Sequence, residues 1–206
     1  MKHLIVLAAL LSLAAPVTAQ NVDVIGSAIV KGKRIELLSD KTWRYVDATA
    51  EADACIVLNS ILQTCGLQGT WSSIATSGTE FIRQYRKDSR TYAGILFEEV
   101  GAVDGATLEF MRNIVIENAA MGTGARPEDI PILDVTTLSV DDNPAERISY
   151  AANFNGVDFI FQNTIVNAPR HNIQLVVWNI GKELNAENRA ANDSFVEAMR
   201  IDFPGN

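Results

Sequence analysis

Chemistry in this chain would have to come from few residues. Its two histidines are His3 and His171, and His3 falls in an N-terminal segment that reads as removable, so a site with two or three histidine ligands is excluded. His171 follows Pro169-Arg170 at the expected start of a strand, where it reads as a turn or capping residue. A Ser-His-acid triad would need His171, and no G-x-S-x-G elbow supplies the serine. Carboxylates are more numerous: Glu98 and Glu99 close a strand-like run near Asp104, while Asp141, Asp142 and Glu146 surround Pro144. Two acids can share acid–base work when their surroundings drive their pKa values apart. Neighbours on a strand face opposite sides, so Glu98 and Glu99 are not such a pair by adjacency. Asp141-Asp142-Asn143 lacks the D-x-[DN]-x-[DN]-G pattern of a calcium loop and reads as a solvated turn. Gly122-Thr123-Gly124 follows a helix instead of opening one, which fits a C-cap and not a phosphate cradle. The expectation is no catalytic residue, no metal and no cofactor. A hydrolase of cell-envelope material using Glu98, Glu99 and Asp104 is the enzymatic alternative.

Cys55 and Cys65 are the only cysteines, and an even pair in an oxidising compartment implies one disulfide. A loop this short would add roughly 2.5–3 kcal/mol on the chain-entropy estimate. Ala54, Leu58, Ile61 and Leu62 give the segment helical periodicity, yet an unbroken helix would hold the cysteines about 15 Å apart. Bonded cysteines need α-carbons within ~7 Å, so the helix must stop before Cys65, as Gly66 suggests. Without CxxC spacing, a redox-active pair is the weaker alternative.

The compartment is set by residues 1–19, MKHLIVLAALLSLAAPVTA. Lys2 is the positive start, Leu4 to Ala15 the apolar core, Pro16 the break, and Val17-Thr18-Ala19 the small residues before a cleavage site, so the segment reads as a secretory signal peptide with cleavage expected after Ala19. Its apolar core is well short of the ~20 residues that span a bilayer. The expected location is periplasmic or secreted, with no membrane span. The whole chain carries 17 Lys+Arg against 25 Asp+Glu. An acidic exported protein lacks the basic patch that releases counterions from nucleic acid or anionic lipid.

Residues 20–50 read as a β-hairpin module in which Ile35 and Leu37 answer Trp43 and Tyr45 across Ser39-Asp40-Lys41. It resembles a short hairpin of exported bacterial proteins, with Lys41 where that pattern has glycine. Residues 51–78 form a disulfide-containing connection with Trp71 buried, and 79–206 the main α+β domain. There, 80–87 and 91–100 are strands, a helix begins at an Asp104 N-cap and runs to about Ala120, and strands follow near 132–140, 146–154, 157–166 and 171–180. A last helix spans about Ala186 to Met199.

Asn155-Gly156 is the strongest local signal, because both central residues of a type I′ turn take positive φ. It places Phe154 beside Val157, Ala152 beside Phe159 and Tyr150 beside Phe161, an aromatic face that helix or partner must cover. Tyr150, Phe159 and Phe161 are therefore the candidates for a small apolar ligand pocket, with core packing as their other reading. Ile173, Leu175 and Val177 alternate with other largely apolar residues, which predicts a central strand. The result is an antiparallel sheet packed against two helices, in the order ββαββββα.

This order, with GILFEEVG, the first helix, the NG hairpin, QLVVWNIG and the terminal SFVEAMRIDF, resembles the PsbP-like fold, which includes the extrinsic photosystem P subunit and bacterial envelope lipoproteins. The resemblance covers about residues 79 to 203 and implies a non-enzymatic accessory domain that docks on an envelope protein partner. No functional residue carries over from it. A periplasmic small-molecule carrier is the alternative reading.

Overall fold

The computed structural model describes residues 22–30, 33–45, 55–76 and 80–203, which fall in two compact units, 1–46 and 47–206. Residues 1–19, read above as a signal peptide, lie outside the described residues. Among the described residues no helix is long and apolar enough to cross a membrane.

The first unit is a three-stranded meander of β1 (Val24–Val30), β2 (Lys33–Leu38) and β3 (Trp43–Tyr45). Ile35 pairs with Tyr45 and Leu37 with Trp43, as the alternation predicts. Lys41 takes φ 70° at the turn, a left-handed conformation in which glycine is more at ease. The Asp40 carboxylate holds the turn by accepting from the Thr42 hydroxyl and N–H, 2.6 and 2.9 Å away. Those bonds lower the Asp40 pKa.

The second unit begins with β4 (Cys55–Val57) and β5 (Leu62–Cys65). Here the expected helical segment is corrected: it is a hairpin, with Cys55 directly opposite Cys65 and bonded to it. The reason lies at the turn, where the Asn59 side chain accepts from the N–H groups of Ile61 and Leu62. β-branched Ile56 and Val57 also suit a strand. After Trp71, the expected irregular stretch contains a short strand, β6 (Ser72–Ile74).

The main sheet adds β7 (Arg83–Arg86), β8 (Thr91–Glu98), β9 (Ile132–Val140), β10 (Asn143–Phe154), β11 (Val157–Asn167) and β12 (Asn172–Ile180). Its order is β6-β7-β8-β12-β11-β10-β9, with antiparallel pairing throughout. β12 is the middle strand of seven, and Ile173, Leu175 and Val177 have no exposed surface, so the predicted central strand is found.

Helix α1 (Leu108–Thr123) starts later than expected. Thr107 is its N-cap, accepting from the Phe110 N–H. Asp104 closes a preceding 3₁₀ turn by accepting from the Gly101 N–H. Gly124 ends α1 at φ 73°. Helix α2 (Ala186–Glu197) is capped reciprocally by Asn185 and Asn188. It stops short of Met199 because Met199–Ile201 becomes β13 and pairs with β5. Thus β4, β5 and β13 form one small sheet.

Each helix covers one side of the main sheet. α1 contributes Met111, Val115, Ile116, Ala119 and Ala120 to a core with Ile148, Tyr150, Ala152 and Ile165. On the other side, Ala191, Phe195 and Val196 of α2 join Ile95, Leu175, Val177 and the disulfide hairpin's Leu62. Residues 55–76 therefore share a core with the main sheet.

Candidate functional site

The aromatic residues singled out by sequence lie on β10 and β11. Asn155 and Gly156 take φ 54° and 86°, and the register pairs Phe154 with Val157, Ala152 with Phe159 and Tyr150 with Phe161. Tyr150 stacks on Phe161 with ring centroids 5.1 Å apart. The next strand pairs Phe161 with Trp178, and the one after pairs Trp178 with Tyr92, so four aromatic residues form a row across four strands. Phe81 stacks on Trp178 at 5.7 Å. Phe81 also lies over Gly94, where an added Cβ would come within 2.5 Å of its ring. Trp178, Tyr92 and Phe81 escaped sequence reasoning because their place in the row depends on the order of strands, which local patterns do not reveal.

Burial drives the Tyr150 phenol well above its ordinary pKa, because a phenolate would be left unsolvated under α1. Of the three pocket candidates, Phe159 lines a cavity of about 570 Å³ at the hairpin end, with Ala152, Ile130, Pro131 and Lys182, while Tyr150 and Phe161 do not. The polar groups on that wall bond to protein: Asp158 accepts from Asn153 at 2.8 Å and from Lys182 at 3.3 Å. The Thr123 hydroxyl donates to carbonyls of its own helix.

The face under α2 is divided. One half is apolar, with Phe195 packed 5.1 Å from Trp71 and 5.6 Å from Tyr85. The other half is polar. Arg147 donates to Asn192 at 2.7 Å and pairs with Asp193 at 2.5 Å, while Gln162 Nε2 donates to the Asn188 carbonyl at 2.8 Å. The register places Arg147 beside Thr164 and Ser149 beside Gln162. Ser149, Gln162 and Thr164 are wholly buried, yet Ser149 Oγ, Gln162 Oε1 and Thr164 Oγ1 have no protein partner. A sequence signal for this layer existed in the polar residues alternating along β10 and β11.

Among the described residues, strand β9 is an edge of the main sheet, paired with β10 alone. Ile132, Leu133 and Val135 are 53%, 43% and 44% exposed. Asp134, the one ionisable residue of β9, accepts from Arg189 of α2 at 2.9 Å, and that bond lowers its pKa.

The other sequence candidates are spread among structural tasks. Glu98 accepts from Asn172 at 2.8 Å, Asp104 closes its turn and Glu99 is exposed. Asp141 and Asp142 are positive-φ residues of the β9–β10 turn, and Asp141 accepts from the Ile201 N–H. Glu146 takes a two-bond contact from Arg112 of α1. The His171 ring lies 5.6 Å from Phe97 and 6.0 Å from Phe203. Among the described residues no group of three or more His, Cys, Asp or Glu is arranged to hold a metal ion.

No protein-family model and no curated protein matches the sequence. Among solved structures, the chain is similar to cyanobacterial PsbP from Synechocystis, at 7% identity and TM-score 0.49, over 68% of this chain and 86% of that one. It is also similar to LpqN of Mycobacterium tuberculosis, a protein involved in cell envelope biogenesis, at 12% identity and TM-score 0.46, over 72% and 89% of the two chains. A Bacteroides thetaiotaomicron structure matches at 6% identity and TM-score 0.45 over 70% of this chain, which spans 46% of that longer one. The family that the element order resembles is thus among these structures. The likeness is one of chain path and brings no activity with it.

Proposed function

We propose that this chain is an exported, non-enzymatic accessory protein that docks on an envelope partner by adding an extended segment of that partner to the edge of β9. The observation that carries the reading is the character of this edge. β9 is nine residues long, apolar side chains on it are exposed, and its only charge is tied to Arg189. Soluble proteins usually blunt such an edge with lysine, proline or a covering element, because its unpaired N–H and C=O groups invite another strand. Strand addition gives a partner main-chain hydrogen bonds, and alternate side chains give selectivity. Export is supported by the N-terminal segment and by the Cys55–Cys65 disulfide, which persists in oxidising compartments.

Cross-linking and native co-purification of the tagged mature protein from its own envelope test this. One reproducible partner, lost in Leu133→Lys and Val135→Lys variants that melt as the parent does, is the expected result. Recovery of the same partner by both variants would place docking elsewhere, and recovery of none would count against the accessory role.

A further inference from the structure

Only at the tip of the β10–β11 hairpin does the sequence set an asparagine directly before a glycine, as Asn155-Gly156. Both residues are exposed. The carboxamide of an asparagine in water is open to attack by the main-chain nitrogen of the next residue, and glycine, with no side chain, hinders that approach least. The Gly156 nitrogen loses its proton and bonds to Asn155 Cγ, the side-chain nitrogen leaves as ammonia, and a five-membered imide closes. Water then opens the imide at either carbonyl. One opening leaves aspartate, and the other leaves isoaspartate, in which the main chain runs through the former side chain.

A neighbour is set against the attacking nitrogen. Asn153 Oδ1 accepts from the Gly156 N–H at 2.9 Å, and Asn153 Nδ2 donates to Asp158 Oδ1 at 2.8 Å. The bond from Asn153 and the nearby Lys182 hold the Asp158 carboxyl below its ordinary pKa, so it is ionised at neutral pH. A main-chain N–H can only donate and a carboxylate can only accept, so the two bonds together fix the orientation of the Asn153 amide. With its proton engaged, the Gly156 nitrogen is harder to deprotonate, and the attack must first break that bond.

We propose that Asn155 is a site of slow spontaneous deamidation and that Asn153 is the brake that sets its rate. Either product adds a negative charge to a tip that already carries Asp158. Isoaspartate also lengthens the main chain within a two-residue turn, which disrupts the pairing of Phe154 with Val157. Asn153, Asp158 and Phe159 wall the cavity of about 570 Å³, so that wall differs between a new molecule and an aged one. The tip stands apart from the β9 edge, and the two readings fail separately.

Incubation of the mature protein at mildly alkaline pH tests the proposal, read by peptide mass spectrometry that separates aspartate from isoaspartate and by NMR hydrogen exchange. Asn153 is exposed, so its replacement leaves the core untouched. The expected result is slow conversion at Asn155 in the parent and conversion about two- to tenfold faster in Asn153→Ala, the span set by one lost hydrogen bond. Exchange should quicken at the Gly156 amide and stay unchanged in the β10–β11 ladder beyond the tip. The swapped pair Asn153→Asp with Asp158→Asn restores an acceptor for Gly156 and a donor for that acceptor, and should return both rates to those of the parent. Equal conversion in the parent and Asn153→Ala would remove the brake. Conversion as fast in the swapped pair as in Asn153→Ala would show that the hydrogen bond is not its cause, and an intact Asn155 in all three proteins would remove the site.

Discussion

The two sides of the main sheet bury a helix in different ways. Under α1 the contact is mainly apolar and aromatic, with Tyr150 and Phe161 stacked at 5.1 Å. Under α2 an apolar half anchored by Phe195 adjoins a layer of Arg147, Ser149, Gln162 and Thr164. Apolar burial is non-directional and tolerates many solutions of similar volume. Buried polar groups demand specific partners, and each one left unmade costs about 1–3 kcal/mol. Apolar packing dominates the first interface, beside the Arg112–Glu146 ion pair and the buried Asn163–Gln174 bond. The second buries Ser149 Oγ, Gln162 Oε1 and Thr164 Oγ1 without a protein partner.

Three perturbations would break or sharpen this contrast. The largest effect is expected from Phe195→Ala, which empties the anchor of the apolar half and should cost about 3–5 kcal/mol in chemical denaturation. A much smaller loss would mean that the polar layer holds α2 by itself. Next comes alkaline titration. Burial raises the phenol pKa of both Tyr150 and Tyr85, although for Tyr85 the Thr64 bond opposes the shift. Each contributes stability that is complete below the unfolded value near pH ~10 and is lost as pH rises further, because the unfolded chain ionises first. Tyr150→Phe should therefore retain more stability above pH ~10 than Tyr85→Phe, as read by melting across pH. The smallest effect is expected from Thr164→Val, which removes a buried hydroxyl without a protein partner at nearly constant shape. It should leave stability unchanged or raise it by about 1 kcal/mol. A loss beyond that size would show the hydroxyl to be bonded in solution.

The sequence was most legible where a rule acts locally. Asn155-Gly156 sets the register of β10 and β11 through positive φ, and the alternation around Ser39-Asp40-Lys41 sets that of β2 and β3. The helical periodicity around Cys55 misled because four apolar residues at that spacing also fit a hairpin once Asn59 makes the turn. Asp104 and Thr107 are both competent caps, and the 3₁₀ turn that Asp104 closes leaves Thr107 to serve α1. The extension of the aromatic row to Trp178, and the meeting of Asn179 with Thr91, depend on β12 lying between β8 and β11. That ordering is non-local, so single-strand patterns could show aromatic and polar residues but not which of them share a site.

The pairing of β5 with β13 has a consequence in time. Leu62 meets Ile201 and Thr64 meets Met199, so the small sheet cannot be completed until residues near 200 have been synthesised. Contacts this distant in the chain form late, because loop-closure entropy must be overcome before they yield any stabilisation. The Cys55–Cys65 hairpin, in contrast, closes within a short loop. It can therefore be locked covalently before the chain is complete, holding an edge ready for β13.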